Sequence, residues 1–389
     1  MQIVVKLTNR CNLRCKYCSE GNVCSYADIS SDVFNKLVDD LPMVLDFIGD
    51  KDVDFLWHGG EPLCYSKVAL CEMMDYAKYK LGGDYKVSFS TQSNGTLINN
   101  EWIDIIKKYD ISMGISLDGY ESIHDKYRID VDGKPTFKKI IDNIKLLEKN
   151  GINVGTLMVL NSSDDVDVDK LFDFIVKNNL SCKIHPVFSA GRAEGIDNLD
   201  EIGDSYVEIM RQLTKKSLES GDNIEIEPIS SLMQYILGIR NSLECSFAGV
   251  CGKSILCLYP NGDLGFCGRQ GAASTLLYGN VMKNSLLELY KSANAERIRE
   301  RDKYLSEHDC KDCSYFRLCH GGCAFEAVNA FSVVEHKYPG CETRKKLLNF
   351  VLGDGLALLK KALIRQRRLY QASIKNKEYL LKELKNEKQ

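Results

Sequence analysis

Three cysteines crowd one short loop. Residues 11–18 read Cys-Asn-Leu-Arg-Cys-Lys-Tyr-Cys, so Cys11, Cys15 and Cys18 follow a C-x3-C-x2-C spacing just after the apolar run Ile3-Val4-Val5. Three thiolates so spaced can wrap one corner of a cuboidal 4Fe–4S cluster and leave one iron without a protein ligand. An open iron can take a substrate, as the open position of a catalytic zinc does. Two other uses of the motif compete. A zinc knuckle needs a fourth Cys or His nearby, and Cys24 is the only candidate in the next few residues. A group of buried thiols can also pack as small hydrophobes.

The cysteine count sharpens the choice. Sixteen cysteines in 389 residues are far more than a reducing compartment requires, and they cluster at 11–18 and 245–341. Clustering favours metal over disulfide staples. The sequence begins directly in a strand pattern, with no basic, apolar and cleavage regions of a secretory signal, so a cytoplasmic protein with reduced thiols is expected. No apolar run reaches 18 residues, so no membrane span is expected. A net charge of -3 argues neither for nor against nucleic acid, and no nucleic-acid partner is expected. Hydrophobic residues at 44% and charged residues at 27% suit a globular chain, long enough for two domains or one enlarged α/β domain.

Residues 1–190 alternate short apolar runs with amphipathic stretches. Strands are predicted at 2–6, 53–57, 86–90, 111–116, 153–159 and 181–186, with helices near 31–48, 66–81, 99–109, 136–149 and 165–178. Six β/α units predict a parallel sheet with helices outside, closing part of a barrel. Chemistry in such folds gathers at the C-terminal ends of the strands. The second strand ends in Trp57-His58-Gly59-Gly60-Glu61-Pro62. The glycines would let backbone approach a ligand and Glu61 would accept from an ammonium group, although a Gly-rich turn before a helix-starting proline reads the same way. Gln92-Ser93-Asn94-Gly95-Thr96 follows the third strand. Ser116-Leu117-Asp118-Gly119 and then His124-Asp125-Lys126-Tyr127-Arg128 follow the fourth. Singly each is a turn or a cap; three in succession point to a site.

With these motifs the chain resembles the radical S-adenosylmethionine (SAM) enzymes over nearly all of residues 1–345. Cys11, Cys15 and Cys18 match the superfamily's cluster motif, with Tyr17 as its usual aromatic. Gly59-Gly60-Glu61-Pro62 matches the segment that binds the methionine amino group. The resemblance also implies SAM contacts at Ser116 and Arg128, and at Phe188 near the adenine. A second set of cysteines resembles the SPASM domain. By that likeness Cys245, Cys251, Cys267 and Cys323 would hold one auxiliary 4Fe–4S cluster, and Cys310, Cys313, Cys319 and Cys341 another. Four thiolates each leave no open iron, which suits electron transfer. Paired zinc ribbons are the competing reading of the C-x2-C spacing.

The expected organisation is a radical SAM core with an incomplete (β/α)6 barrel (1–235), a SPASM domain (236–345) and a helical tail (346–389). Residues 191–240 read as a helical bridge. The tail, taken from residue 342, carries thirteen Lys or Arg against five Asp or Glu, either a solvated face or a hold for an acidic peptide or partner. Of the remaining cysteines, Cys24, Cys64, Cys71 and Cys182 read as core or inert thiols. Cys257 is a candidate hydrogen-atom donor. His185 ends the sixth strand and either faces the cavity or is a structural histidine. His58 and Arg269 are candidate substrate contacts or structural residues.

The resemblance implies an enzyme that cleaves SAM to a 5′-deoxyadenosyl radical, supplied with electrons by a flavodoxin or ferredoxin, and acts on a peptide or protein. Anaerobic sulfatase maturases are near relatives of the motif set. In them an Asp follows the cysteine matching Cys267 and serves as a base; here Gly268 and then Arg269 stand there. A base needs a matched pKa within reach, which neither provides. The first expectation is therefore a maturase of a ribosomally made peptide, forming a thioether, carbon–carbon or related cross-link. Leader recognition would fall to a separate protein, the basic tail or the cleft. Formylglycine formation, peptide epimerisation and, in another class, non-catalytic electron transfer are the alternatives.

Overall fold

A computed structural model describes residues 1–21, 27–161, 166–196, 199–221, 224–269 and 276–365. Six strands run parallel in chain order: β1 (Gln2–Thr8), β2 (Asp52–Gly59), β3 (Lys86–Ser93), β4 (Ser112–Ser116), β5 (Val154–Leu160) and β6 (Ser181–Pro186). Between them lie α1 (Ser31–Ile48), α2 (Lys67–Leu81), α3 (Asn100–Tyr109), α4 (Glu121–Tyr127), α5 (Phe137–Lys149) and α6 (Val168–Lys177). All six predicted strands and five predicted helices are present. The additional helix α4 lies in the polar stretch after β4, too short for a periodic signal to show.

The strands alternate between two environments. On β2, Val53, Phe55 and Trp57 are buried against the helices, where Phe55, Trp57 and Phe89 stack at 5.8–6.1 Å with Phe34 of α1 packed beside Phe55 and Trp57. Asp54, Leu56 and His58 take the opposite, inward face by the period of two. On β1 both faces are buried: Ile3, Val5 and Leu7 join the main core, while Val4 and Lys6 face inward. This is why β1 reads as a nearly continuous apolar run, as a central parallel strand does.

The second half of the chain extends the same sheet. After α7 (Leu199–Ser220), β7 (Ile226–Glu227) adds to β6, and α8 (Ile229–Ile236) and α9 (Cys245–Ala248) follow. Strand β8 (Ile255–Leu258) then pairs parallel with β1, Val4 beside Cys257. Antiparallel β9 (Asp263–Gly265) and β10 (Gly279–Asn280) follow it, giving the order β10-β9-β8-β1-β2-β3-β4-β5-β6-β7. The edge strands β10 and β7 are not paired with each other, so the barrel is open. Sequence reading placed the cysteine-rich segment behind the barrel, but not as strands of its sheet: β8 is four residues long and pairs across 250 residues of chain. The predicted bridge at 191–240 holds two helices and the short β7.

Helices α10 (Leu286–Tyr290), α11 (Ala293–Glu307), α12 (Phe316–Cys319), α13 (Ala324–Phe331) and α14 (Cys341–Phe350) complete the cysteine-rich part. Its centre is Arg301 of α11. This side chain is 5% exposed and donates to the carbonyls of Val334, His320, Gly322, Gly321 and His336 at 2.8–3.2 Å. The loops bearing Cys319, Cys323 and Cys341 thus hang on one guanidinium. The tail continues α14 as helical turns to residue 365; its remaining residues lie outside those described. Among the described residues no helix is long and apolar enough to cross a membrane.

Replacing Arg301 by Met takes the guanidinium from five carbonyls, of which, among the described residues, only Gly321 keeps another donor, the Tyr338 N–H, at about 1–3 kcal/mol for each one left unsatisfied. The expected result is a variant that loses iron from the cysteine-rich region first and unfolds at lower denaturant, read by iron assay and tryptophan fluorescence. Unchanged iron and midpoint would show the loops are held by other contacts.

Candidate active site

The cysteine loop is held by backbone. Gly60 N–H donates to the Thr8 carbonyl at 2.8 Å, and Glu61 N–H to the Arg10 carbonyl at 2.8 Å. A Cβ on Gly59, whose φ is 140°, would run into the Thr8 carbonyl oxygen, and one on Gly60 into that of Arg10. The two glycines therefore let the end of β2 lie against the chain that leads into Cys11. The glycines also line the cavity, so the sequence-based reason for them, close approach to a ligand, is joined by a second one.

Glu61 is 1% exposed. Its carboxylate accepts from Ser93 Oγ at 2.7 Å, Asn94 N–H at 2.7 Å and Leu63 N–H at 3.1 Å. Burial pushes its pKa up to about 7 despite these three donors, so ionisation there calls for a cation. Asn94 also donates to Asn12 at 2.9 Å, and Asn12 to Thr96 at 2.7 Å, tying the turn after β3 to the cysteine loop. On the other side Arg192 donates to the Cys15 carbonyl at 3.0 Å through its side chain and to the Cys18 carbonyl at 2.9 Å through its N–H.

Asp118 is the hub of the opposite wall. Fully buried, it accepts from Tyr17 Oη at 2.5 Å, Arg128 Nε at 2.9 Å and Val159 N–H at 3.0 Å. Its own N–H donates to His124 Nδ1 at 3.2 Å. Burial opposes the charge on Arg128, but Asp118, Tyr17 and Cys15 outweigh it and hold the guanidinium firmly protonated. The guanidinium lies 5.2 Å from the Tyr17 ring centre. Ser116 accepts from Gln92 at 3.1 Å. Tyr17, Gly59, Gly60, Glu61, Ser116, Arg128 and Phe188 all line one cavity of about 230 Å³ with the three cysteines. Sequence reading did not single out Asp118, Asn12 or Arg192. A signal existed only for Asp118, an acid three residues before a helix in a polar loop.

The other cysteines fall into two neighbourhoods. Cys251 is pushed up to about 12 by burial and then by Cys245 and Cys267; Cys323 is raised by burial, by Glu326, and by Cys267 and Cys251. Cys310 is pushed up to about 11 by burial and then by Cys319, Cys313 and Cys341. Within the first loop, burial takes Cys11 to about 12, with Glu61, Cys15 and Cys18 adding. Thiols crowded this way ionise when metal takes them. By these neighbours the cysteines fall into sets of three, four and four. Among the described residues no three His, Cys, Asp or Glu converge on a single ion, and thiolates of a four-iron cluster each take a separate iron. All fifteen described cysteines are free of disulfides.

A second cavity, about 250 Å³, is lined by Cys245, Cys251, Cys267 and Cys323. It shares His58, Phe188, Gly268 and Arg269 with the first. His185 lines it, kept neutral by burial that takes its pKa to about 3. A larger hollow of about 550 Å³ opens at the other end of the strands, beside Met1 and Asp54, and reaches Cys245 but none of the Glu61 wall. Cys257 is fully buried between Val4 and Tyr259 and lines neither of the two cavities that the Glu61 wall and Cys267 share; this stands against the hydrogen-donor role. Cys24 lies outside the described residues.

Substituting Asp118 by Ala strands the buried Arg128 charge, at about 3–5 kcal/mol. A fall of that size in unfolding free energy, with loss of iron from the Cys11 loop, is expected from denaturant titration and iron assay. Wild-type stability would show that Arg128 finds another partner.

The sequence profile of the radical SAM superfamily matches residues 5–175, and that of the SPASM iron–sulfur cluster-binding domain matches residues 245–314. A cysteine-type anaerobic sulfatase-maturating enzyme of Clostridium novyi (strain NT) is 26% identical over 336 residues, covering 82% of this chain and 87% of that one. The fold is that of native anSMEcpe with bound AdoMet and Cp18Cys peptide, with a TM-score of 0.78 at 20% identity over 92% of this chain and 99% of that one. Streptococcus suis SuiB bound to precursor peptide SuiA follows with a TM-score of 0.60 at 19% identity, over 88% and 75%. The chain carries a radical SAM domain and a SPASM domain, the make-up of a radical SAM/SPASM enzyme whose cofactors are 4Fe–4S clusters and S-adenosylmethionine.

Proposed function

We propose that the protein modifies a peptide, forming a thioether, carbon–carbon or related cross-link at one of its residues. The supporting observation is the shared wall: the cavity that holds Glu61 and Cys11 and the one that holds Cys267 and Cys323 are both lined by His58, Phe188, Gly268 and Arg269. A peptide residue lying there would be within reach of both.

Cys11, Cys15 and Cys18 would hold the cluster with the open iron. Glu61 would take the methionine ammonium of SAM, in the position where burial leaves its carboxylate short of a cation. Ser116, Arg128 and Tyr17 would form the far wall, and Phe188 would close the side toward Cys267. Cys245, Cys251, Cys267 and Cys323 would hold the nearer auxiliary cluster, and Cys310, Cys313, Cys319 and Cys341 the farther one. With SAM bound, the first cluster would supply a 5′-deoxyadenosyl radical, given an electron from an external donor such as flavodoxin or ferredoxin. The protein's share is orientation and the exclusion of water.

Sulfatase maturation is the second reading, because that is the activity in the name of the Clostridium novyi relative. Against it, Gly268 offers no base. A Cβ at 268 would stand 2.8 Å from Val4 Cγ1, so the inward face of β1 fills the space a side chain there would need. Epimerisation would need a hydrogen donor other than the enclosed Cys257. A purely electron-carrying protein would have no use for the Glu61 pocket.

Anaerobic protein given SAM and dithionite should release 5′-deoxyadenosine and methionine; none released would sink the enzyme reading. Iron near twelve per chain is expected from three four-iron clusters, at roughly four each. With peptides encoded beside the gene, mass spectrometry should show loss of two hydrogens without an aldehyde. A hydrazide-reactive product from a sulfatase peptide would put the second reading first.

Affinity for SAM should depend on pH through Glu61. The group must be ionised to take an ammonium, so below about pH 7 each bound SAM displaces a proton, and Kd should rise up to about ten-fold per pH unit. For the ligand-free fold the sign is opposite. Its raised pKa means that the folded state binds the proton more tightly, so stability falls as pH climbs from the unfolded value toward 7. Calorimetry of SAM binding at several pH values checks this, and a flat profile would remove Glu61 as the ammonium acceptor.

A further inference from the structure

Two donors in the shared wall have no hydrogen-bond acceptor among the described residues. His58 sits on the inward face of β2, beside Lys6 in the sheet register. Its Nδ1 accepts the Gly59 N–H at 2.8 Å and faces Lys6 Nζ at 3.3 Å. Lysine is only a donor, and Lys6 is paired with Glu20 at 2.5 Å. With two donors on Nδ1, the single ring proton of a neutral imidazole belongs to Nε2. Burial, then Lys6 and Arg269, keep the ring neutral. The Nε2–H has no acceptor among the described residues.

Arg269 is the second. Its guanidinium lies 4.8 Å from the Phe188 ring centre and 3.7 Å from Glu326 Oε1, beyond hydrogen-bond length. Its side chain makes no hydrogen bond among the described residues. A planar fork of five N–H donors is thus held in a cavity wall with only a nearby charge for company. Cys323, Cys267 and Cys245 also lie close enough to be felt, so balancing thiolate charge is one use for the residue. That use needs a positive charge, not a fork. Both residues also line the second cavity, which contains none of Gly59, Glu61, Ser116 or Arg128.

We propose that His58 and Arg269 form a carboxylate subsite for the substrate, binding an Asp or Glu side chain, or a free C-terminus, next to the residue that is modified. The inference rests on the peptide reading above. The guanidinium would take the carboxylate through two parallel N–H bonds, and His58 Nε2–H would donate to one of its oxygens. Glu326 stays on the other edge as the charge partner.

The test uses the reconstituted holoenzyme with SAM, under anaerobic conditions. It is offered two randomised octapeptide libraries with a fixed central cysteine, one with free and one with amidated C-termini, and bound peptides are sequenced by mass spectrometry. Acidic residues at a fixed offset from the cysteine should be enriched about ten-fold or more, the effect of one or two charge-assisted hydrogen bonds. Enrichment of free over amidated peptides without an acidic position would assign the subsite to the C-terminus. Arg269→Lys keeps the charge and loses the fork, so enrichment should vanish while iron content and SAM affinity stay at wild type. His58→Leu should weaken it, and His58→Gln, which keeps an N–H donor, should restore it. Peptides captured without acidic or C-terminal preference would overturn the subsite and leave the peptide reading standing. No peptides captured at all would overturn both. SAM affinity falling in step with peptide capture would show that the pair serves SAM and overturn the proposal.

Discussion

Two backbone hydrogen bonds fix the geometry on which the site depends. Gly60 N–H to Thr8 and Glu61 N–H to Arg10, both at 2.8 Å, clamp the end of β2 to the chain just before Cys11. The clamp closes only without side chains at 59 and 60, because a Cβ at either would meet a carbonyl oxygen. It brings the three cysteines and Glu61 to the same cavity although 43 residues separate Cys18 from Glu61. The parallel sheet sets this up one step earlier. Lys6 and His58 are register partners, so the loops leaving β1 and β2 start side by side.

The clamp also brings charge out of water, and the inward face of the sheet handles it by pairing. Arg128 has Asp118, Lys6 has Glu20, and Lys183 has Glu244. A buried pair gives little net stability, because desolvation offsets attraction, but losing one partner is costly. Pairing therefore fixes conformation more than it adds stability. Glu61 is the exception among these carboxylates: three neutral donors and no cation. Arg269 is a second, milder exception, with Glu326 near but not hydrogen-bonded. One unmatched anion and one loosely matched cation face the same cavity. That is the pattern expected where ligands complete the electrostatics.

Much of this was legible in the sequence, for identifiable reasons. Strands at 2–6 and 53–57 are short β-branched or aromatic runs between turn signals, and the helices carry a 3.6 period. The C-x3-C-x2-C loop stands out by its spacing, whereas the division of the later eight cysteines into two sets of four rests on the likeness to the SPASM domain, since Cys323 lies between Cys319 and Cys341 in the chain. What stayed hidden depends on contacts across the chain. Asp118 reads as a turn residue until Tyr17, Arg128 and Val159 converge on it. Arg301 reads as one more charge on a polar helix, yet it organises two loops, one between Cys319 and Cys323 and one leading to Cys341. Lys6 went unremarked as well, although a lysine that follows an apolar strand run marks a wet or functional interior.

The pairing of β8 with β1 links the two halves chemically. It makes the cysteine-rich segment part of the barrel wall, so Cys267 follows a strand two places from β1 and its neighbour Gly268 packs on Val4. The glycine is then a consequence of packing as well as a missing base. A side chain at 268 would have to shift Val4 Cγ1, so a base there comes at a packing cost. Proton chemistry at this site has to come from another element or from the substrate. The inward residues nearest the shared wall are a histidine locked as a donor and an arginine, neither of which takes a proton. A site furnished in this way is better suited to gripping an acidic group than to deprotonating a thiol or hydroxyl. Substrate choice would then rest on the charge beside the reacting residue.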